Sequence, residues 1–189
     1  AIIANKIIPC TLEFLDRTTI ECVESHAKIG LPTDCAAVLL MEVDGHAAQV
    51  EEQTQQIEAI ARQGGAREVR VAASAAEGLQ LASARRTAFS ALARLAPTVV
   101  LEDVTVPRSA LAQMVGYVQE VGQRHQVKVG TFGHMGDGNL HFNVLQPDDM
   151  ARETFLAHKT LINRELHDLA ISMEGTFSAE HGIGINKVG

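Results

Sequence analysis

The stretch Gly133-His134-Met135-Gly136-Asp137-Gly138-Asn139-Leu140-His141-Phe142-Asn143 decides how this chain folds. Its three glycines allow a tight turn and a close backbone approach. Val127 to Thr131 before the turn and Asn139 to Leu145 after it read as extended, so the stretch predicts a hairpin. The second strand alternates strictly. Leu140, Phe142 and Val144 point to a core, and Asn139, His141 and Asn143 point the other way. A strand face carrying two amides and an imidazole is unlike a parallel strand buried on both sides.

Working outward, Leu12 and Phe14 mark a short strand around Cys10 to Asp16, and Thr18 to Ala27 reads as a helix. Ala36 to Val43 reads as a buried strand stopped by the turn pair Asp44-Gly45. Val50, Ile57, Ile60 and Ala61 share one helix face that ends at Gly64-Gly65. Val69 and Val71 alternate with Glu68 and Arg70, which predicts a further strand. Ser74 and Glu77 have the spacing of a capping box, so a helix starts there and runs to about Ala93. Thr98 to Val106 is extended. Pro107-Arg108-Ser109 then leads into a helix with Leu111, Met114, Val115, Val118 and Val121 on one stripe. Phe155, Ile162, Leu166 and Leu169 mark a last helix, before a final extended piece.

The expected order is β-α-β-α-β-α-β-α-β-β-α. No glycine-rich phosphate loop follows the first strand, which disfavours a dinucleotide-binding α/β sheet. The expected fold is therefore α+β: ferredoxin-like split βαβ units on a largely antiparallel sheet, with helices packed on one face. Residues 1–189 read as one compact unit.

Composition narrows the function. The chain carries 16 basic and 23 acidic side chains, a formal charge of −7, with no basic stripe to bind nucleic acid. No apolar run reaches the ~20 residues of a membrane helix. Cys10, Cys22 and Cys35 are odd in number and lack CxxC spacing, which disfavours a disulfide scaffold and predicts inert thiols in a reducing, cytoplasmic setting. The chain opens on Ala1-Ile2-Ile3-Ala4 and stops on Lys187-Val188-Gly189, so it is expected to belong to a longer parent.

Chemistry concentrates in two stretches. In the first, His134 and His141 flank the glycine turn, beside Asn139 and Asn143. In the second, Glu180-His181-Gly182-Ile183-Gly184, a carboxylate precedes a histidine; Gly182-x-Gly184 lacks the third glycine and the strand-turn-helix setting of a dinucleotide fingerprint. Two imidazoles and Glu180 form a ligand set for Zn²⁺, Mn²⁺ or Fe²⁺ that leaves positions open for substrate. His181 is then a spare base, because neighbouring side chains of an extended segment point apart. Asp137 shapes the turn with Gly138, and Arg108 organises a helix start. Lys187 reads as a surface charge, and His26, His46, His125, His158 and His167 have no partnered motif.

The stretches Gly133 to His141 and Glu180 to Gly184 resemble the two signature motifs of the C-terminal domain of FAD-linked oxidases, with a vanillyl-alcohol-oxidase-like fold. Ile7-Ile8-Pro9 with Leu12 to Asp16, Arg85 to Phe89, and Glu102-Asp103 with Val106-Pro107-Arg108 extend the resemblance over nearly the whole chain. It implies that His134, His141 and Glu180 ligate a divalent metal, that His181 is the general base at a 2-hydroxyl, that Asn143 touches the substrate, and that Arg85 holds its carboxylate. It also implies an FAD cofactor bound by a separate FAD-binding domain. That domain and the usual C-terminal tail are absent here, so flavin contacts are not expected in these residues and the isolated chain is expected to be inactive. The expected partners are a small D-2-hydroxy acid, such as lactate or glycolate, and the FAD-binding domain. The electron acceptor and a homodimer stay open. Two rival functions stay open: a metal-dependent hydrolase using the same His134, His141 and Glu180, and a non-catalytic small-ligand-binding module that holds no metal.

Overall fold

The computed structural model describes residues 1–184, so Lys187 lies outside the described residues. Its strands are β1 (Thr11–Asp16), β2 (Ala37–Glu42), β3 (Val99–Thr105), β4 (Lys128–His134) and β5 (Asn139–Leu145). Its helices are α1 (Arg17–Ala27), α2 (Ala47–Gln63), α3 (Ala75–Leu92), α4 (Leu111–Arg124) and α5 (Arg152–Ser172). The strands form one sheet in the order β2-β1-β4-β5-β3, and every neighbouring pair is antiparallel.

β4 and β5 are the hairpin expected from the glycine turn, with His134 opposite Asn139 and Phe132 opposite His141. β3 pairs with the far side of β5, so β3 and β4 run parallel with β5 between them. Helix α4 makes that crossover, which is the split βαβ arrangement. α4 and α5 bury Met114, Val118, Val121, Phe155, Ile162 and Leu166 against Leu140, Phe142 and Val144 of β5. The opposite sheet face, with Leu15, Phe132 and Leu145, is covered by α1 and α3 through Ile20, Val23, Ala88 and Leu92. The one-face layering thus describes the β3-α4-β4-β5-α5 unit, and a second helical layer closes the other face.

Local signals explain where the elements start. Asp16 ends β1 and accepts the Thr19 N–H at 2.8 Å, capping α1. Ser74 accepts the Glu77 N–H at 3.2 Å, the capping expected of that pair. Gly138 has a positive φ of 79°, and a Cβ there would collide with the Val106 carbonyl, so the turn between β4 and β5 requires glycine.

Two expectations are corrected. Residues 68–71 form no strand. Alternation alone cannot make one without a partner edge, and Arg67 and Arg70 instead tie this segment to Asp34 and Glu77. The apolar run at β2 is not buried. It is the edge strand, with Val38 and Leu40 packed inward and Leu39 52% exposed. Burial pushes the Cys22 thiol up to about 11, in keeping with an unreactive core cysteine.

Candidate functional site

The polar face of β5 opens on the side covered by α1 and α3, toward the turn end of the hairpin. There β1, β4, β5, α3 and the segment after α5 meet. His141 projects from β5 and is 3% exposed. Burial, with the Arg85 guanidinium adding to it, pushes its pKa from the ordinary 6.5 down to about 4, so the ring is neutral at physiological pH. Its Nδ1 is buried without a hydrogen-bond partner among the described residues.

His134 ends β4, one strand away, with its ring 5.4 Å from that of His141 in an edge-to-face arrangement. Glu180 reaches the same place from the second motif: its Oε1 lies 3.2 Å from His134 Nε2 and 3.9 Å from His141 Nε2. One ligand atom from each of these residues falls within 4.8 Å of the other two. Among the described residues this is the one such group of three or more His, Cys, Asp or Glu side chains. The donor set of two imidazoles and a carboxylate fits a divalent transition metal.

Asp103 on β3 arranges the second motif. Its buried carboxylate accepts the backbone N–H groups of Ala179, Glu180 and His181 at 2.8, 2.8 and 3.2 Å. Residues 179–181 are therefore bent rather than extended. This corrects the expectation that neighbouring Glu180 and His181 side chains point apart. Both return to the site: the His181 ring stacks on His141 at 5.2 Å, and its Nδ1 lies 3.9 Å from Asp103 Oδ1. Thr176 and Thr105 exchange backbone hydrogen bonds of 3.0 and 2.8 Å, which ties the same segment to the end of β3.

Arg85 comes from α3. Its Nε donates to Glu13 Oε2 at 3.0 Å, its Nη2 lies 3.1 Å from His134 Nε2, and its guanidinium sits 4.5 Å over the Phe132 ring. Glu13 also reaches His134, Oε1 to Nδ1, at 2.7 Å. Asn139 donates to Glu180 Oε1 at 2.6 Å. Asn143 shares the His141 face but lies one pleat deeper. It is fully buried and donates to the Gly130 carbonyl at 3.2 Å. The structure thus gathers Arg85, His134, His141, Glu180 and His181, with Asn143 set back beneath them. Glu13, Asp103 and Phe132 belong to the site although no role was expected of them. Each is one residue of an ordinary strand pattern, and its partners lie far along the chain.

No helix among the described residues is long and apolar enough to cross a membrane. The family profile described as FAD linked oxidases, C-terminal domain, matches residues 1–189. The glycolate oxidase subunit GlcD of Bacillus subtilis is 47% identical over 98% of this chain and 39% of its own length. A D-lactate dehydrogenase of Anaerostipes hadrus is 29% identical over 97% of the chain and 40% of its own length. A D-2-hydroxyglutarate dehydrogenase of Xanthomonas citri pv. viticola is 36% identical over 62% of the chain and 25% of its own length. The solved structure of 4-ethylphenol oxidase from Gulosibacter chungangensis superposes with a TM-score of 0.56 at 14% identity, over 93% of this chain and 42% of that one, a likeness of fold. The chain spans about two fifths of the length of the first curated relatives it matches. With a profile match over its whole length and a hairpin and second motif that meet in one site, this chain belongs to the FAD linked oxidases, C-terminal domain family.

Proposed function

We propose that the chain forms the substrate- and metal-binding part of a flavin-dependent dehydrogenase that oxidises a D-2-hydroxy acid to the 2-oxo acid. The observation that carries this reading is the convergence of the His134, His141 and Glu180 ligand atoms within 4.8 Å, beside His181 and Arg85. Relatives named glycolate oxidase subunit GlcD and D-lactate dehydrogenase supply the substrate class.

His134, His141 and Glu180 fit a divalent cation, Zn²⁺, Mn²⁺ or Fe²⁺, which when bound lowers the pKa of a coordinated hydroxyl. FAD, held chiefly outside these residues, supplies the hydride acceptor. The chain's own side chains do the rest. His141 is neutral and offers a lone pair without first losing a proton. His181 takes the hydroxyl proton; its ring stacks on His141 and its Nδ1 lies 3.9 Å from Asp103 Oδ1. Were a cation held by His134 Nε2, Arg85 Nη2 would give up that nitrogen, and the guanidinium edge would be available to pair with the substrate carboxylate. Glu13 and Phe132 keep the Arg85 head in place meanwhile. Asn143 closes the floor of the site, with Oδ1 unbonded among the described residues.

The test is flavin reduction in the full-length protein that carries this chain. D-lactate or glycolate should bleach the flavin absorbance in a single turnover, and His181→Ala should slow that step by about a hundredfold or more. Unchanged bleaching in the variant removes His181 from the reaction, and no bleaching by any D-2-hydroxy acid removes the reading.

A further inference from the structure

We infer that Glu13 is a positioning residue that fixes which nitrogen of His134 faces the site. The inference rests on the metal-binding reading only for its consequence in affinity. The state of the ring follows from hydrogen-bond geometry alone.

Glu13 on β1 is directly opposite His134 on β4 in the sheet register, so strand pairing itself brings the two side chains together. Glu13 Oε1 lies 2.7 Å from His134 Nδ1, and Oε2 accepts from Arg85 Nε at 3.0 Å. On the other side of the ring, Arg85 Nη2 is 3.1 Å from Nε2. A carboxylate can only accept and a guanidinium can only donate. The neutral ring that satisfies both neighbours carries its proton on Nδ1 and its lone pair on Nε2. Glu180 Oε1, 3.2 Å from the same nitrogen, is a second acceptor, so this tautomer sets two electron pairs side by side, as ligands of one cation must be. A carboxylate behind a ligating imidazole fixes its tautomer and raises its basicity.

Glu13 can do this because it has two acceptor oxygens for two donors. In Glu13→Gln a single carbonyl oxygen must serve both Arg85 Nε and His134 Nδ1. The charged guanidinium forms the stronger hydrogen bond and retains the oxygen. The amide NH₂ then faces Nδ1, which must become an acceptor, and the proton moves to Nε2, where Glu180 Oε1 at 3.2 Å accepts it in place of the Arg85 contact. The lone pair aimed at the site is lost. Arg85→Met removes the competitor and leaves the amide oxygen free to turn back to Nδ1.

The experiment compares the full chain as wild type, Glu13→Gln, Arg85→Met and the double variant, each with ¹⁵N-labelled histidine. Imidazole ¹⁵N shifts of metal-free protein report the tautomer, and titration with Zn²⁺ alone reports affinity. We expect Nδ1–H at His134 in the wild type and Nε2–H in Glu13→Gln, whose Zn²⁺ Kd rises about ten- to a hundredfold. In the Arg85→Met background the amide oxygen has no competing donor, so the same substitution should change the Zn²⁺ Kd less than it does when Arg85 is present. A wild type with Nε2–H, or a Glu13→Gln variant that keeps Nδ1–H and an unchanged Kd, overturns the inference. A wild type that binds no Zn²⁺ overturns the metal reading instead, and the nitrogen shifts still decide the role of Glu13. If Glu13→Gln does not fold, the wild-type shifts alone decide it.

Discussion

The buried carboxylate of Asp103 accepts the backbone N–H of Glu180 at 2.8 Å, and through this bond the second motif is delivered to the first. The same oxygen takes the N–H groups of Ala179 and His181, so three successive amides converge on one acceptor. Glu180 is a half-exposed residue whose aim depends on its backbone, and the backbone depends on Asp103.

Asp103→Ala should therefore release residues 179–181. Charged hydrogen bonds of this kind contribute ~1.5–3 kcal/mol each, so amide exchange in the segment should accelerate about tenfold or more. Zn²⁺ affinity should fall with it, because one of three ligands is no longer held in place. Hydrogen exchange read by mass spectrometry checks the first effect. Unaltered protection of these amides contradicts the latch.

His141 gives the protein a pH dependence of known sign. Its folded-state pKa, about 4, lies below the ordinary 6.5, so between these values the unfolded chain binds more protons. The stability from keeping the ring neutral is complete above pH 6.5 and is lost as the pH falls toward 4, about 3 kcal/mol in all. In metal-free protein the urea midpoint should drop between pH 7 and pH 5, and His141→Gln should flatten that drop. An equal drop in the variant would assign the effect to other groups.

Asp16 caps α1 while buried, and burial raises its pKa above the usual carboxylate range despite the Thr19 and Gln119 hydrogen bonds. A raised folded pKa means that stability is lost as the pH rises through it, so at neutral pH the buried charge carries a cost. Asp16→Asn keeps the cap without the charge and should equal or exceed the wild type at pH 7. Asp16→Ala should cost about 1 kcal/mol or more. Thermal melts of both variants decide the point. An Asn variant as damaged as the Ala variant contradicts it.

Gly138→Ala should cost at least ~2 kcal/mol, since the positive φ and the collision with the Val106 carbonyl act together. Urea unfolding measures this directly, and a loss below ~0.5 kcal/mol would show that the turn relaxes around a methyl group.

What could be read from the chain alone follows the range of the interactions. The alternation of Leu140, Phe142 and Val144 against Asn139, His141 and Asn143 is local, and it is realised residue by residue in β5. The Ser74–Glu77 cap is local too, and it forms. The strand expected at Val69 and Val71 fails because a strand depends on a partner edge, which no local pattern reports. Of the run read as buried, Val38 and Leu40 alone pack against the core. The exposure of Leu39 is set by the sheet order, with β2 at the edge. At the site, His134, His141 and Glu180 stand out because they sit among glycines in two short motifs. Glu13 and Asp103 do not, because their partners lie 121 and 77 residues away and only the strand pairing and the final bend unite them.

Metal content tests the central claim most directly. The full chain, loaded with Zn²⁺ or Mn²⁺ and desalted, should hold one metal per chain by elemental analysis, and His134→Ala and His141→Ala should each hold almost none. Stoichiometric metal retained in both variants, with the wild type also loaded, would contradict the assignment of these two imidazoles and Glu180 to one metal centre.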